Sequence, residues 1–167
     1  MLFYLIVALI IVFTLIFQVS FLSFLFVDRA LPDILLVIVV VLGFLLNEKK
    51  GAVIGLCGGL LQDLLLGHTL GLFALSKMLV GIGAGLIGRE VYRGKILVLF
   101  ILAFMGTVMH EILTLMLRYL FLGEVSLELA MLGHFVEMAA YNSLLAILVF
   151  LFFHWLYQKG DSLGLQE

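Results

Sequence analysis

Long apolar segments separated by short charged clusters are the feature that most constrains this chain. Hydrophobic residues make up 65% of its 167 residues and charged residues 12%, and the mean hydropathy is +1.34. A soluble domain of this length cannot bury so much apolar surface, because its surface is large relative to its volume. A bilayer accepts such a surface, so the sequence predicts an all-α polytopic membrane protein consisting of little besides its spans.

Six apolar segments are candidates for membrane spans. A helix needs about 20 apolar residues to cross roughly 30 Å of hydrocarbon, and the second and third segments are shorter than this. These two form either a thin transmembrane hairpin or a partly re-entrant pair, so six spans is the prediction and five the alternative. We expect one transmembrane domain, residues 1–157, and a polar cytoplasmic tail, residues 158–167. The predicted spans, joined by short loops, are residues 2–27, 32–46, 52–66, 72–88, 96–122 and 127–157.

The distribution of basic residues predicts the orientation of the spans. With six spans, one side of the membrane has only Arg29 and, near a helix end, Arg118. Because basic residues are enriched in cytoplasmic loops, the opposite side is expected to be the cytoplasm, which places both termini there. The basic residues on that side are Lys49, Lys50, Arg89, Arg93, Lys95 and Lys159.

Small residues recur at every fourth position in the third and fourth spans. Small side chains at this interval let two helix backbones approach closely, which matters in lipid because burying apolar surface gives no net driving force there. We expect these glycines to be helix-contact residues that pack the two spans together; a docking face for a partner protein is the alternative. They are Gly51, Gly55 and Gly59 in the third span and Gly81 and Gly85 in the fourth.

Charged residues within these two spans predict a buried ion pair. A charge in hydrocarbon costs about 2.5 to 3.5 kcal/mol, so each one needs a partner or a function. Asp63 and Lys77 lie at equal distances on either side of Leu70, the middle of the intervening turn. Antiparallel packing about this turn brings both charges to the same depth. The pair is interpreted as structural, with a ligand pocket as the alternative.

A second group of polar side chains is predicted to be buried at similar depth in the last two spans. Those at positions 134, 137 and 141 share one face of the sixth span by their spacing. A metal site or a proton relay is one interpretation. A hydrogen-bond network that joins the two helices is preferred, because no ligand-spaced motif is present. The group comprises His110, Glu111, His134, Glu137, Tyr141 and Asn142.

No catalytic, cofactor or metal site is predicted. The segment from His110 to Thr114 begins like the zinc-protease motif H-E-x-x-H, but a threonine stands where the second histidine is required. The lone Cys57 excludes an intramolecular disulfide and gives no metal-binding spacing. The net charge of −2 gives no long-range attraction to nucleic acid.

Three short segments between residues 30 and 90 together resemble a known family. They are residues 32–36 (PDILL), 55–67 (GLCGGLLQDLLLG) and 70–75 (LGLFAL). This set of a Pro-Asp span start, a Gly-x-x-x-Gly helix ending in an aspartate, a turn and Gly-Leu-x-Ala-Leu is similar to the bacterial rod shape-determining MreD family. By position, Pro32, Asp33 and Asp63 carry over as family motif residues.

The resemblance implies the following properties. MreD-like proteins lie in the bacterial inner membrane and belong to the machinery that builds the lateral cell wall. They bind the membrane-spanning protein MreC and work with RodA, a class B penicillin-binding protein and MreB. Their fold is thought to be similar to the S-components of energy-coupling-factor transporters, and no catalytic activity is attributed to them.

Three functions are therefore expected in order of preference. The first is a non-enzymatic membrane scaffold that binds MreC through helix faces, with the glycine stripes and the apolar end at residues 120–125 as candidate contacts. The alternative is an S-component-like subunit that binds a vitamin through polar side chains such as Asp63, Lys77, Glu137 and Asn142. The third is a proton-coupled transporter.

Overall fold

Six α-helices make up the regular structure in a computed structural model that describes residues 2–18, 20, 31–67, 69–90, 96–123 and 129–162. All regular elements among these residues are helical, so the chain has the all-α class predicted from its hydropathy. In chain order the helices are α1 (Leu2–Phe17), α2 (Ile34–Leu45), α3 (Glu48–Leu66), α4 (Leu72–Glu90), α5 (Ile96–Leu122) and α6 (Leu129–Ser162).

Helix boundaries differ from the predicted spans where polar residues form caps. Helix α3 begins at Glu48, before the predicted residue 52, because the Asn47 side chain caps it by accepting the backbone N–H of Lys50 at 2.9 Å. Helix α6 ends at Ser162, so residues 158–162 of the predicted tail are helical. Positions 21–30, which include the end of the first predicted span, lie outside the described residues.

Helix α2 is the centre of the bundle. Of its 12 residues, 11 are buried, and it contacts each of the other five described helices. Its sequence is apolar on every side, which is the pattern expected of a fully buried helix. At 1.5 Å per residue it is about 18 Å long, shorter than a bilayer core. Protein therefore surrounds this short helix on all sides, which explains how it can be shorter than a lipid-exposed span.

Helices α3 and α4 form an antiparallel hairpin whose backbones touch. A Cβ added at Gly51 would collide with the carbonyl oxygen of Gly81, and one added at Gly85 would collide with the backbone of Glu48. Gly43 of α2 joins the same contact, because its added Cβ would lie 2.7 Å from the Gly81 oxygen. Glycine is thus needed where the backbones of α2, α3 and α4 meet. The glycine stripes predicted in the third and fourth spans lie at this intramolecular contact.

The outer surface of the bundle is apolar. Large hydrophobic side chains are exposed along α1, α5 and α6, including Leu9, Leu97, Met116 and Leu148. Among the described residues, three segments are long and apolar enough to cross a membrane: Leu72–Glu90, Ile96–Leu122 and Gly133–Leu156. Such a surface is the reverse of that of a soluble protein and matches a lipid environment.

The glycine contact predicts that Gly81→Ala destabilises the bundle. The added methyl group would overlap the backbone of Gly51, so α3 and α4 would have to separate, at a cost of roughly 2 kcal/mol. Thermal unfolding of the purified protein in detergent measures this loss. Gly83→Ala is the matched control, because a Cβ there meets nothing within 4 Å. An equal effect of the two substitutions would contradict the close contact.

Candidate functional site

A buried cluster of ionisable side chains lies where α2 begins, against α4 and α5. Lys77 of α4 donates a hydrogen bond to the carboxylate of Asp33, and its Nζ lies 3.4 Å from Nε2 of His110 on α5. The same His110 nitrogen is 3.8 Å from Oδ2 of Asp33. Lys77 is fully buried and His110 nearly so. The three side chains therefore share one site inside the bundle.

Asp33 has two structural functions at this site. Its Oδ1 accepts the backbone N–H of Leu36 at 2.9 Å, which caps α2, while Oδ2 receives Lys77. Pro32, also buried, lies just before this cap and outside the helix that it was expected to open. The carboxylate therefore completes the first turn of the central helix and neutralises the lysine at once.

Asn142 connects the cluster to the last helix. Its Oδ1 accepts the backbone N–H of Asp33 at 2.9 Å, and its Nδ2 donates to Oγ1 of Thr107 at 3.1 Å. Thr107 in turn donates to the carbonyl of Ala103 at 2.8 Å. One fully buried amide thus joins the start of α2 to α5 and α6, which is the interhelical polar contact expected for Asn142.

The ring of Phe73 covers one side of the cluster. It lies 5.8 Å from the His110 ring, with an interplanar angle of 29°, and its centroid is 5.2 Å from Nζ of Lys77. The ammonium group can only donate, so Nε2 of His110 acts as the acceptor and Nδ1 carries the imidazole hydrogen. Nδ1 is buried and has no hydrogen-bond partner among the described residues.

Asp63 forms a separate site at the turn of the α3–α4 hairpin. Its Oδ2 accepts the backbone N–H groups of Gly71 at 2.9 Å and Ala74 at 3.2 Å, and its Oδ1 accepts that of Phe73 at 3.0 Å. These donors lie at the start of α4, where N–H groups have no partner within the helix. A fully buried carboxylate on α3 therefore caps the next helix.

The predicted ion pair between Asp63 and Lys77 is wrong. The glycine contacts place Gly59 beside Ala74, and Gly55 beside the backbone of Lys77. The helices therefore pair about a point near Leu66 instead of Leu70, which shifts Lys77 by about two turns relative to Asp63. The prediction failed because it assumed that the two helices pair symmetrically about Leu70, whereas the glycine contacts centre the hairpin near Leu66, where Gly67 ends α3 in a left-handed conformation (φ 66°).

Four residues of the predicted second group are not buried partners of His110. His134 and Glu137 are exposed, Tyr141 is 40% exposed, and Glu111 is only partly buried. No described residue makes a hydrogen bond or ion pair with any of the four. His134, Glu137 and Tyr141 lie on one side of α6, as their spacing predicts, but spacing alone does not say whether that side points into or out of the bundle.

Several members of the polar core could not have been assigned from the sequence. The Ser76 hydroxyl donates a hydrogen bond to the carbonyl of Leu72 at 2.8 Å and accepts one from the Thr114 hydroxyl at 3.3 Å. Both hydroxyl groups are buried. The partnership of Asp33 with Lys77 spans 44 positions of sequence. The one available signal was the presence of unpaired charges in apolar segments, which requires partners without naming them.

The buried polar groups of this cluster join helices to one another. The carboxylate and ammonium neutralise each other, and no group of three or more His, Cys, Asp or Glu side chains that could hold a metal ion occurs among the described residues. An all-helical bundle with an apolar exterior and charges paired inside defines a helical membrane protein.

Comparison with protein families identifies the group to which this membrane protein belongs. The family model described as rod shape-determining protein MreD matches residues 1–160, and the chain therefore belongs to the MreD family. Its resemblance to that family, based on three short segments, is confirmed over nearly the whole chain. Searches of curated proteins and of solved structures find no match. Membership implies a role in determining rod shape.

The buried pair predicts that Lys77→Met is more harmful alone than together with Asp33→Asn. The single change leaves a buried carboxylate without its cation, which costs roughly 3 kcal/mol, whereas the double change leaves no charge behind. The Asp33→Asn change also keeps a side-chain oxygen that can cap α2. Thermal unfolding in detergent is the measurement. A double variant no more stable than Lys77→Met would show that the pair does not act as described.

The capping site predicts that Asp63→Asn destabilises the hairpin by roughly 2 kcal/mol. An amide retains one acceptor oxygen, but its NH₂ group would face backbone N–H groups that now donate to the Asp63 carboxylate. Glu48→Gln, another acidic-to-amide change on α3, is the control. Its ion pair with Arg89 at 3.3 Å is at the surface, and its loss should cost well under about 1 kcal/mol. Similar losses in the two variants would contradict the capping role.

Proposed function

We propose that this protein is a non-enzymatic scaffold of the bacterial cell-elongation machinery, which binds MreC in the membrane and supports lateral peptidoglycan synthesis. Family membership supports the shape-determining role. The binding of MreC, and work alongside RodA, a class B penicillin-binding protein and MreB, follow from the resemblance to MreD-like proteins.

One observation carries the scaffold function: the buried polar groups are used for holding the helices together. Asp33, Lys77 and Asn142 bond to one another or to neighbouring backbone and side chains, and Asp63 bonds to the start of α4. Such groups position helices and are not presented to a substrate. Specificity must then come from the outward faces of the helices and from short loops.

We propose that the helices form six spans in the inner membrane, with both termini in the cytoplasm. Basic residues at helix ends support this orientation. Lys49 and Lys50 at the start of α3 lie at the same end of the hairpin as Arg89, in the last turn of α4. The ion pair between Arg89 and Glu48 joins these two helix ends. Burial of α2 within the bundle allows this helix to be short, since protein surrounds it and its backbone is satisfied internally. An S-component-like arrangement belongs to the same proposal and rests on the family resemblance.

The vitamin-binding alternative has less support. Of the side chains suggested for a polar ligand, Asp63, Lys77 and Asn142 are fully buried and already bonded, whereas Glu137 is exposed on the outside of α6. They do not converge on one cavity. The polar side chains that a vitamin-binding site would need are therefore dispersed.

Co-purification tests the scaffold function. The full-length protein, tagged and co-expressed with MreC, is expected to retain MreC through solubilisation in a mild detergent. Replacing the transmembrane helix of MreC by an unrelated apolar helix is expected to abolish retention, because the contact lies within the membrane. A complex that persists after this replacement would contradict an interface in the membrane, and absence of any complex with native MreC would contradict the proposed partner.

A further inference from the structure

The outward face of α6 carries ionisable side chains where an apolar surface is expected. His134, Glu137 and Tyr141 follow one another at intervals of three and four residues, so they lie on one side of the helix. All three are exposed. We call these three side chains the α6 polar face. Within the described part of the chain, none of them makes a hydrogen bond or an ion pair.

The hydrogen bond between Asn142 and Thr107 fixes the depth of this face. Helices α5 and α6 are antiparallel, and this bond sets residue 142 level with residue 107. Five residues away on each helix, Glu137 is therefore level with Ile112. Ile112 lies three residues from the middle of α5, a distance of about 4 to 5 Å along the axis. If α5 crosses the bilayer, Glu137 lies well inside the hydrocarbon and away from the headgroups.

Lipid acyl chains cannot satisfy the polar groups of such a face. A carboxyl group at this depth cannot reach water, and acyl chains offer it no hydrogen bond. Tyr119 shows the contrast, because it is 66% exposed but lies near the end of α5, where an aromatic ring suits the interface. The α6 polar face therefore requires an occupant that brings polar groups into the membrane.

The geometry points to a transmembrane helix of a partner, one that carries a basic side chain level with Glu137, as the occupant of the α6 polar face. The charge of Glu137 calls for a cation or a strong donor, and Tyr141 supplies a further hydroxyl group. This inference rests on the proposed scaffold function and assigns a surface to it. A second copy fits less well, because a two-fold contact through this face would bring two Glu137 side chains together.

The same side of α6 continues into a groove that a helix can fill. Leu144 and Leu148 extend the spacing of the polar face and are 59% and 65% exposed. Leu148 also lines an apolar cavity of about 260 Å³ between α1 and α6, together with Ile10, Thr14 and Phe152. The surface thus has charge at one level and an apolar recess further along, which is how a helix is held in register.

Capture of MreC by full-length variants tests this surface. Glu137→Leu and Tyr141→Leu each remove a polar group but make the helix more compatible with lipid, so impaired membrane insertion is not expected. We expect each to retain roughly tenfold less MreC than the unchanged protein does. Tyr119→Leu is the matched control on α5 and is expected to retain MreC fully. Unfolding temperatures of the three variants alone should be unchanged or raised.

The charge itself is tested by Glu137→Gln and Glu137→Lys. We expect partial loss with glutamine and complete loss with lysine, because lysine opposes a basic partner side chain. Retention of MreC by Glu137→Leu and Glu137→Lys would overturn the assigned surface while leaving the scaffold function in place. Failure of the unchanged protein to retain MreC would instead overturn the proposed function. Cross-linking between two copies through Tyr141→Cys, in a Cys57→Ser background, would overturn the partner helix in favour of a second copy.

Discussion

The interaction on which the bundle depends is the neutralisation of Lys77 by Asp33 inside an apolar protein. Neither charge could remain there alone, because burial in a low-dielectric medium removes the water that would stabilise it. The pair ties α4 to the start of α2, and His110 and Asn142 extend it to α5 and α6. Since α2 contacts every other described helix, a contact at its first turn orients the whole bundle.

Close backbone packing and polar capping provide further contacts between the helices. In lipid, contact between the apolar side chains of two helices is not favoured over their contact with acyl chains. Helix association must therefore come from close packing and hydrogen bonds. Glycines provide the shape where α2, α3 and α4 meet, and Asp63 provides the hydrogen bonds at the hairpin turn. The family motif around Asp63 thus has a structural explanation: it closes one helix onto the next.

The distribution of polar groups between the inside and the outside of the bundle separates structure from function. Inside, the charges are satisfied by the protein itself. Outside, the α6 polar face has exposed ionisable groups that make no hydrogen bond or ion pair within the described part of the chain. For a chain that consists almost entirely of helices, such a face is the place where recognition of another membrane helix is physically possible.

The sequence by itself determined the all-helical class, the approximate extent of the helices and the presence of paired charges, because hydropathy and the cost of burying charge act locally on the chain. The close approach at Gly51 and Gly81 was also accessible, since small residues at helical spacing have few other uses. Only the tertiary structure decided the partners. Lys77 bonds to Asp33 and not to Asp63, and Glu137 faces outward while Asn142 faces inward. Both depend on the register and rotation of neighbouring helices, which a shift of one or two turns changes without any change in the apolar pattern.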